Sequence, residues 1–427
     1  MSLRVVPVVA IALCALASAG CDDATLHDYQ PPLDGSHDLF VVAHEDDDLL
    51  FMNPDLSARL RAGHEVETVF LTAGDAGQDE ALWLQREAGI KAAYAYMADV
   101  EDAWSESALQ VAGKTVVRFQ LEGAPRVRVV FLRLPDGNLD GSGFGHGSLL
   151  ALWKGRIDKL PVLGMVAPTV TYSHAELVDV LIALMIDAAA DQVHTLDSTG
   201  LYSRTISDGD HSDHVVSARL ALEASLAYAA PHVLSMYRTY NLSQVAENLS
   251  EAQFDDKREA YQQYNAKTGC ADVLDLQACL DRPDSYPHAY GEWMHRLVAI
   301  RAHTDFSAAL EVSGDGCLVV ARDGTGVRMG RCGAGPARRW TATHEGELRG
   351  PGDRCLSARE PLALEPCDGS RRQKWRVLDN GQIRGLGATC LDARRDLHGD
   401  AVVTRRDCAR APGQIWRERN PLETNRG

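Results

Sequence analysis

The sequence predicts an α/β domain followed by a smaller all-β domain, and three features of its 427 residues support this division. Residues 35–300 alternate between short apolar runs and helical patterns, whereas residues from about 312 onward are rich in Gly and Arg and repeat internally. The charge divides at the same place, with a net charge of +6 from Val312 onward and −23 before it. Opposite charges on two halves indicate two domains. A chain with a formal charge of −17 is not expected to bind nucleic acid, which needs a basic surface for its phosphates.

Four apolar runs predict the strands of the first domain, because each is short and ends at polar residues, as buried parallel strands do. The runs are Asp38 to Ala43, Glu67 to Leu71, Val127 to Leu134 and the weaker Gln192 to Thr195. The helical patterns are Glu80 to Met97, Ala175 to Ala190 and Ser212 to Ala229. This alternation favours a Rossmann-like parallel sheet with helices on both faces. Ligands of such sheets bind beyond the carboxyl ends of the strands, so polar residues there are the first candidates for a site.

The first 21 residues have the pattern of an export signal. Arg4 supplies a positive charge, and the apolar stretch from Val5 to Ala17 is too short to span a bilayer. Residues 18–21, Ser-Ala-Gly-Cys, resemble a bacterial lipobox, which implies a lipid on Cys21 that tethers the protein to a membrane. An ordinary cleaved signal peptide is the alternative. Either way we expect a signal at 1–21, a linker at 22–35 and an exported protein, anchored in the cell envelope or secreted.

Cysteine usage agrees with export. Of the ten cysteines, Cys14 and Cys21 belong to the signal, which leaves an even number, and an exported chain with such a set is expected to form disulfides. Cys270 and Cys279 lie close together and could staple a local loop, whereas the other six follow residue 312. The chain has no Cys-x-x-Cys spacing, so a thiolate zinc site is not expected.

The C-terminal part repeats a unit of about forty residues three times. Each unit begins with Cys-Leu and ends with a tryptophan, at Cys317 and Trp340, Cys355 and Trp375, and Cys390 and Trp416. Two units end in Gln-x-Trp, whereas the first has Arg338 in place of the Gln. The pattern resembles the ricin-type β-trefoil. The resemblance implies a trefoil domain at 312–420, after a linker at 301–311, in a fold whose members bind carbohydrate.

Only the third unit keeps a sugar-contacting feature of ricin-type lectins, an Asp soon after Cys-Leu. This residue is Asp392, and the other units have Val319 and Ser357 instead. No aromatic platform is evident, because Arg405 and Arg406 occupy that region. The resemblance therefore implies either one sugar site at Asp392 or an arginine-lined surface for an anionic glycan. A structural module, or one that docks on the acidic domain, is the alternative.

Two polar clusters in the first domain carry the chemistry. Residues 43–48, Ala-His-Glu-Asp-Asp-Asp, directly follow the first strand, and residues 210–214, Asp-His-Ser-Asp-His, begin the third helix. Either cluster alone could be a solvated loop. Together they offer two imidazoles and a carboxylate, the ligand set of a catalytic zinc with an open position for water, and further carboxylates that can act as a base. His64, His174 and His194 belong to no such cluster and are interpreted as structural or surface residues.

The A-H-x-D-D and H-x-D-H motifs, in this order, resemble the PIG-L (LmbE-like) family of zinc-dependent N-deacetylases. Three shorter segments add to the likeness: Thr72 to Gly77 is similar to the family's T-x-G-x-x-G turn, Arg86-Glu87-Ala88 to its R-E-A segment, and Leu134 to Gly137 to its L-P-D-G. The resemblance spans about residues 36–240. It implies a deacetylase domain at 36–300, a hydrolase acting on linear amide C–N bonds.

The resemblance also implies a role for each matching residue. The metal ligands for Zn²⁺, or for another divalent metal, would be His44, Asp47 and His214. The catalytic groups would be Asp46 as general base, and His211 as the group that stabilises the oxyanion or protonates the amine, oriented by Asp213. The substrate-binding residues would be Arg86 and Asp136. The chain departs from the family at Glu45, where Pro is usual, and at Asp48, where Glu is usual, and neither is a ligand position.

Three functions are consistent with these features. The first is an exported deacetylase of an N-acetylated amino sugar or glycan, held near a polysaccharide by the trefoil. The second is a non-catalytic carbohydrate-binding surface protein, which the complete set of catalytic residues disfavours. The third is a hydrolase of a non-sugar amide, such as a thiol conjugate or an antibiotic. The trefoil favours a glycan, although this is an argument from domain association and not from site chemistry.

Overall fold

The structure, a computed structural model, covers most of both predicted domains. It describes residues 36–164, 170–198, 202–204, 209–230, 232–268, 287–303, 307–312, 316–321, 323–332, 338–343, 346–352, 354–378, 380–395, 401–409 and 411–419. The predicted signal and linker, as well as Cys270 and Cys279, lie outside these residues.

The first domain is built on a mixed sheet whose centre is parallel. Its strands are β1 (His37–Val42), β2 (Glu65–Thr72), β3 (Trp104–Val111), β4 (Lys114–Leu121), β5 (Val127–Leu134), β6 (Leu160–Pro161), β7 (Thr171–Tyr172), β8 (Gln192–Leu196), β9 (Val233–Tyr237) and β10 (Ala299–His303). The parallel centre runs β9-β8-β1-β2-β5, with β10 antiparallel at one edge and β4 and β3 antiparallel at the other. β6 and β7 form a separate small pair.

The four predicted strands are confirmed as β1, β2, β5 and β8, and β5 has the predicted bounds. The antiparallel hairpin of β3 and β4 was not predicted. Its outer strand is mostly exposed and rich in polar residues, so it lacks the apolar run that marks a buried strand. The predicted parallel sheet is therefore correct at the centre and extended by antiparallel strands at the edges.

Helices cover both faces of this sheet, as predicted. They are α1 (Asp47–Phe51), α2 (Asp55–Ala62), α3 (Glu80–Met97), α4 (Leu149–Trp153), α5 (His174–Asp187), α6 (Ser212–Ala227), α7 (Glu251–Thr268) and α8 (Pro287–Met294). One apolar core includes Leu181 of α5 and Val216 of α6, and the other includes Ile90 of α3 and Tyr264 of α7. None of the helices in the described part of the chain has the length and apolar character needed to cross a membrane.

The bounds of the predicted helices follow local signals. α3 has the predicted bounds, and α5 begins after Ser173, whose hydroxyl and Glu176 form a capping box. α5 ends three residues earlier than predicted, and Ala189 adopts a left-handed conformation with φ of 48°. A residue with positive φ cannot continue a right-handed helix, so the chain leaves the helix there.

The histidines outside the two clusters have structural roles, which agrees with their interpretation. His64 and His194 are buried and both contact the carboxylate of Asp38, His64 through Nδ1 at 2.7 Å and His194 through Nε2 at 2.8 Å. Arg59 also donates to Asp38. His174 is partly exposed, and its Nε2 lies 2.9 Å from Glu223 Oε2.

The second domain consists of short antiparallel strands arranged as a β-trefoil. Its strands are β11 (Ser307–Val312), β12 (Gly316–Val320), β13 (Val327–Gly330), β14 (Trp340–Ala342), β15 (Leu348–Gly350), β16 (Arg354–Ser357), β17 (Ala363–Pro366), β18 (Arg376–Leu378), β19 (Ile383–Arg384), β20 (Thr389–Arg395), β21 (Ala401–Asp407) and β22 (Trp416–Arg419). Each closing tryptophan is buried and donates its indole N–H to the carbonyl of the Leu that follows the first Cys of its unit. These bonds are Trp340 to Leu318 at 2.9 Å, Trp375 to Leu356 at 2.8 Å and Trp416 to Leu391 at 2.9 Å.

The expected disulfides of the trefoil are present, one in each repeat. They join Cys317 to Cys332, Cys355 to Cys367 and Cys390 to Cys408. Disulfides persist in oxidising compartments, so they indicate an extracellular protein.

The two domains share a sheet. β10 pairs with β9 of the first domain and with β18 of the trefoil, so that strands continue through the described residues in the order β21-β20-β19-β18-β10-β9-β8-β1-β2-β5-β4-β3. β10 ends at His303 and β11 begins at Ser307, so strands occupy most of the segment that the sequence predicts as a linker. The described residues of both domains belong to one compact unit.

Two trefoil arginines are buried at this junction. Arg384 donates to Ser198 Oγ, to Met236 Sδ at 3.0 Å and to Asp197 Oδ1 at 3.3 Å. Arg376 donates to the carbonyl of Ser225 at 3.1 Å. One alternative for the trefoil was that it docks on the acidic domain. The buried contacts of Arg384 and Arg376 with the first domain agree with that alternative.

Candidate metal centre

The first polar cluster is held at the carboxyl end of the central strand. β1 ends at Val42, and the chain turns directly into α1. The Asp47 carboxylate organises this turn, because its Oδ2 accepts from the backbone N–H groups of Ala43 at 3.1 Å and His44 at 2.7 Å. A ligand site beyond the carboxyl end of β1 is the position expected for a parallel sheet.

The second cluster meets the first at the N-terminus of α6. His214 Nε2 lies 2.8 Å from Asp47 Oδ1 and 3.1 Å from His44 Nδ1. All three side chains are buried, and one donor atom from each lies within 4.8 Å of the others. The structure thus brings together the three residues that the sequence predicts as metal ligands.

This donor set fits a metal cation. His214 Nδ1 lies 2.7 Å from Asp210 Oδ1, so the single N–H of a neutral His214 is used in that bond. Its Nε2 then presents a lone pair to Asp47 Oδ1 and His44 Nδ1. A lone pair on Nε2 and the Asp47 Oδ1, which face each other 2.8 Å apart in a buried place, repel one another unless positive charge lies between them. Two imidazoles and one carboxylate are ligands that zinc accepts while keeping a position open.

The electrostatics of the cluster favour positive charge. Burial by itself would lower the pKa of His214, but Asp47 and Asp210 raise it to about 9. Burial would raise the pKa of Asp47, but His214 and His44 hold it well below its ordinary value. The carboxylates therefore stabilise a cation at this place, and a divalent metal supplies more charge than a proton does.

Asp210 orients one of the proposed ligands, a role that the sequence analysis did not assign. Besides His214, this carboxylate accepts from the hydroxyl of Thr239 and, at 2.8 Å, from the backbone N–H of His211. Carboxylates that bond the outer nitrogen of a metal-binding histidine fix its tautomer and its ring direction. It lies two residues before α6 begins, and its presence in the same five-residue cluster as His214 was the available signal.

Asp46, the predicted base, lines the cavity beside the ligands and is bound by Arg86. Arg86 Nη2 donates to Asp46 Oδ1 at 2.9 Å, and Arg86 Nε donates to Glu45 Oε2 at 3.2 Å. Glu45 is fully buried, and burial raises its pKa to about 8 despite the guanidinium. The unusual Glu45 therefore shares Arg86 with the base and fixes the position of that guanidinium.

The second departure from the family pattern, Asp48, points into the core and away from the cavity. It is fully buried and accepts a hydrogen bond from the Tyr94 hydroxyl. Burial raises the pKa of Asp48 to about 7. Tyr94 in turn contacts the Thr68 hydroxyl on β2. The residue thus anchors the first turn of α1 and leaves the ligand geometry intact.

His211 lies between two carboxylates at the other side of the ligands. Its Nδ1 accepts from the backbone N–H of Asp213 at 3.2 Å, so the proton of the neutral ring is on Nε2, which lies 3.6 Å from Asp136 Oδ1. Burial and the neighbouring His44 lower the pKa of His211 to about 4. The carboxylate of Asp213 is 3.8 Å from Nδ1 and accepts mainly from the backbone N–H of Gly137, at 2.7 Å. In this structure Asp213 orients His211 through its main chain.

A cavity of about 260 Å³ opens over these residues. One part of its wall is charged and includes the predicted substrate residues Arg86 and Asp136. Another part is aromatic and was not predicted; it consists of Phe51, Phe144, Tyr240, Tyr290 and Trp293. Tyr237, on β9, is buried in the core, whereas Tyr240, three residues later, lines the cavity. Phe51 lies three residues after the first cluster, but the other four are far from both clusters in sequence, so no signal showed that they share the site.

Comparison with protein-family models now identifies both parts of the chain. Residues 39–225 match the PIG-L family, described as GlcNAc-PI de-N-acetylase, and residues 306–416 match the ricin-type beta-trefoil lectin domain. The protein joins a PIG-L deacetylase domain to a C-terminal ricin B-type lectin domain. Its PIG-L domain belongs to a family of de-N-acetylating hydrolases, and its buried His/Asp group could hold a metal. No curated protein sequence matches the chain significantly.

Solved structures resemble each domain separately. An N,N'-diacetylchitobiose deacetylase from Pyrococcus horikoshii is 15% identical with a TM-score of 0.33 and covers 56% of this chain and 74% of its own. A conserved protein from Thermus thermophilus is 18% identical with a TM-score of 0.29, covering 54% and 80%. A non-toxic homologue of type II RIPs from Momordica charantia is 19% identical with a TM-score of 0.24 and covers 27% of this chain. The chain spans 49% of that bitter gourd protein.

In the ricin-type domain, Asp392 is largely buried. It is 6% exposed, and its Oδ2 accepts from Gln414 Nε2 at 3.0 Å. Gln414 also holds the loop before it, because its Oε1 accepts from the backbone N–H of Ala409 at 2.7 Å. The predicted sugar residue is thus tied to the Gln-x-Trp motif of its own repeat.

Proposed function

We propose that this protein is an exported, metal-dependent N-deacetylase that hydrolyses the acetamide of an N-acetylated amino sugar or glycan. The observation that carries the proposal is the buried convergence of His44, Asp47 and His214, with Asp46 at the edge of the same cavity. These three residues would hold Zn²⁺ or another divalent metal. When bound, the metal would polarise the acetamide carbonyl and make a water molecule more acidic.

The residues of the chain would move the protons. Asp46 accepts a proton from the attacking water at its carboxylate and passes it to the amide nitrogen as the C–N bond breaks, which yields acetate and a free amine. Arg86 keeps the Asp46 carboxylate in place through the 2.9 Å bond. His211 is neutral with its proton on Nε2, and it donates a hydrogen bond to the oxyanion as the carbonyl is attacked. Asp136 lies 3.6 Å from the same Nε2 and contacts the substrate.

The first experiment measures bound metal and acetate release together. Purified protein is expected to contain about one zinc per chain and to release acetate from acetylated amino sugars or glycans. The variant with both His44→Ala and His214→Ala should lose the metal, whereas His174→Ala, a histidine outside the site, should retain it. Asp46→Asn should keep the metal and lose most acetate release. Full activity in Asp46→Asn would exclude this residue as the base, and wild type that stays metal-free after zinc is supplied would exclude the mechanism.

A second candidate function, glycan binding without catalysis, is favoured by the paired Asp392 and Gln414 in the third repeat. We propose that this repeat provides the sugar site of the trefoil. Wild type should then be retained on an immobilised polysaccharide, and Asp392→Asn should be retained less. Ser357→Ala, at the equivalent place of the second repeat, is the matched control and should bind as wild type does. Binding without any acetate release would make the protein a lectin-like surface protein.

We further propose a domain division at 36–300 and 312–420 and export through residues 1–21. Three trefoil disulfides support an oxidising destination. Lipidation of Cys21 predicts that the protein fractionates with membranes and that Cys21→Ser releases it. If wild type and Cys21→Ser are both found in the soluble fraction, the protein is simply secreted. If both stay with membranes, the tether is not the lipid on Cys21.

A further inference from the structure

The catalytic cavity has an aromatic side for which the proposed chemistry gives no role. The deacetylation step uses the charged residues, whereas Phe144, Tyr240 and Tyr290 line the same cavity without taking part in it. Tyr240 and Tyr290 lie after residue 225, beyond the part of the chain that matches the PIG-L family. Phe144 lies within the matched part, so this side of the cavity combines residues from inside and outside it.

Phe144 is the most exposed member of this side. Its side chain is 41% exposed, and among the described residues it shares such exposure with only three other large apolar side chains, Leu84, Tyr96 and Ile186. Of these four, Phe144 alone lines the cavity. A large apolar side chain gains free energy when it is buried, so a ligand that covered Phe144 in this cavity would gain binding free energy from that contact.

The loop that carries Phe144 is shaped by glycines. Gly141, Gly143, Gly145 and Gly147 all have positive φ. A Cβ on Gly143 would lie 2.5 Å from the carbonyl oxygen of Gly147, and the Gly143 N–H donates to the carbonyl of Gly137 at 2.8 Å. The loop is thus a defined backbone structure that depends on glycine and presents one aromatic ring.

A second glycine turn gives the ring its place. A Cβ on Gly77, in the turn after β2, would lie 2.4 Å from the Phe144 side chain. The phenyl ring therefore packs directly on the main chain of that turn. Two loops at the carboxyl end of the sheet together fix Phe144 at the cavity, which leaves part of the ring free for a ligand.

The other aromatic residues are also held rigidly. The Tyr240 and Trp293 rings stack with centroids 4.8 Å apart and an angle of 6° between their planes, and Trp293 Nε1 donates to the Tyr240 carbonyl at 3.2 Å. The Tyr290 ring stands at 87° to Trp293 with a centroid separation of 5.5 Å. Rigid aromatic side chains offer a large contact area at low entropic cost.

We propose that Phe144, with Tyr240 and Tyr290, forms a subsite for the ring that bears the acetamide, and that the occupant is the pyranose ring of an N-acetylated amino sugar. This inference rests on the proposed function and adds to it the residues of this chain that recognise the ring of the substrate. A pyranose has an apolar face of C–H groups that suits an aromatic contact, and its acetamide can then reach the charged residues. The cavity of about 260 Å³ is small beside the roughly 300–1,000 Å³ of typical ligand pockets, which fits one such ring.

The test compares a ligand with a ring and a ligand without one. Binding of N-acetylglucosamine and of acetamide to the full-length, zinc-loaded protein is measured by calorimetry, together with KM and kcat for acetate release. Phe144→Leu should weaken N-acetylglucosamine binding and raise KM by about tenfold, as expected for the loss of one aromatic contact, with little change in kcat. Acetamide binding should not change. Phe144→Tyr, which keeps the ring, should behave as wild type.

The control variant is Ile186→Ala, which removes an exposed apolar side chain from α5 outside the cavity and should alter neither ligand. Unchanged N-acetylglucosamine binding in Phe144→Leu, or an equal loss for both ligands, would overturn the subsite. If wild type releases acetate while Phe144→Leu is unaffected, the subsite fails and the proposed function stands. If wild type binds N-acetylglucosamine through Phe144 and releases no acetate, the proposed function fails and the subsite stands.

Discussion

At the scale of single residues, the site depends on groups that orient the ligands as much as on the ligands. Asp210 accepts from His214, from Thr239 and from the backbone of His211, so one carboxylate fixes both histidines of the second cluster. A buried carboxylate with several donors holds its position well. The direction of His214 Nε2 is consequently set before any metal arrives.

Asp210→Ala is therefore expected to weaken zinc binding by roughly 10–100-fold, the usual effect of losing a carboxylate that orients a histidine ligand. Competition with a chelator of known affinity measures this without any assay of activity. Thr239→Val is the graded control, because it removes one donor to Asp210 and leaves the bond to His214 in place. Wild-type zinc affinity in Asp210→Ala would mean that the rest of α6 suffices to orient His214.

At the scale of elements, the sequence predicts best what is both buried and regular. β5 and α3 have the predicted bounds because their apolar patterns are continuous and their ends carry clear signals. The ligand cluster could be predicted because its residues are close together in two short motifs. The β3–β4 hairpin could not, because its outer strand faces solvent. Nor could the aromatic side of the cavity, because Phe144, Tyr240 and Tyr290 meet only through tertiary packing.

The loop with Gly141, Gly143, Gly145 and Gly147 allows a test of whether its conformation requires glycine. Gly143→Ala should destabilise the protein by more than the roughly 1 kcal/mol typical of strain at positive φ, because its Cβ would also collide with the Gly147 carbonyl. Gly145→Ala is the matched control: it has positive φ as well, but a Cβ there meets nothing within 4 Å. Unfolding in urea measures both. Equal losses in the two variants would show that the loop relaxes around a Cβ at Gly143.

At the scale of the whole molecule, the trefoil is part of the catalytic fold rather than a module on a flexible tether. β10 joins the sheets of the two domains, and Arg384 reaches Asp197 and Ser198 at the carboxyl end of β8. On α6, the helix that His211 caps and that carries His214, Arg219 donates to the carbonyl of Ser198 at 3.4 Å. The trefoil thereby supports the helix that carries half of the candidate site.

Arg384→Met should then cost several kcal/mol of unfolding free energy, about 3–5 kcal/mol, because it leaves the buried Asp197 carboxylate without this guanidinium. Arg371→Met is the control. Arg371 pairs with Asp179 on the surface at 3.2 Å, and such pairs contribute about 0–1 kcal/mol. Thermal unfolding should show one transition in wild type and an earlier or divided one in Arg384→Met. Equal effects of the two variants would mean that the junction does not depend on the buried pair.

The same junction makes the stability of the molecule depend on pH through His232. Its Nδ1 lies 2.8 Å from the carbonyl of Ala230, and its Nε2 accepts from Ser225 Oγ at 2.7 Å and from Arg376 at 3.3 Å. This arrangement requires a neutral ring. Burial, and then the positive charge of Arg376, lower its pKa to about 4. A protonated ring would place a second cation against a buried guanidinium.

Because the folded pKa of His232 is below the ordinary value of about 6.5, its contribution to stability is complete above pH 6.5 and decreases as the pH falls from there towards 4. The unfolded chain binds the proton in this range and the folded chain does not, so each pH unit costs up to about 1.4 kcal/mol. Urea unfolding of wild type and His232→Leu between pH 7.5 and 4.5 measures the difference. Their free energies of unfolding should converge as the pH falls. If the free energies of unfolding of the two proteins instead fall in parallel with pH, another group causes the acid sensitivity. Protonation of His232 would then have no effect on the stability of the junction.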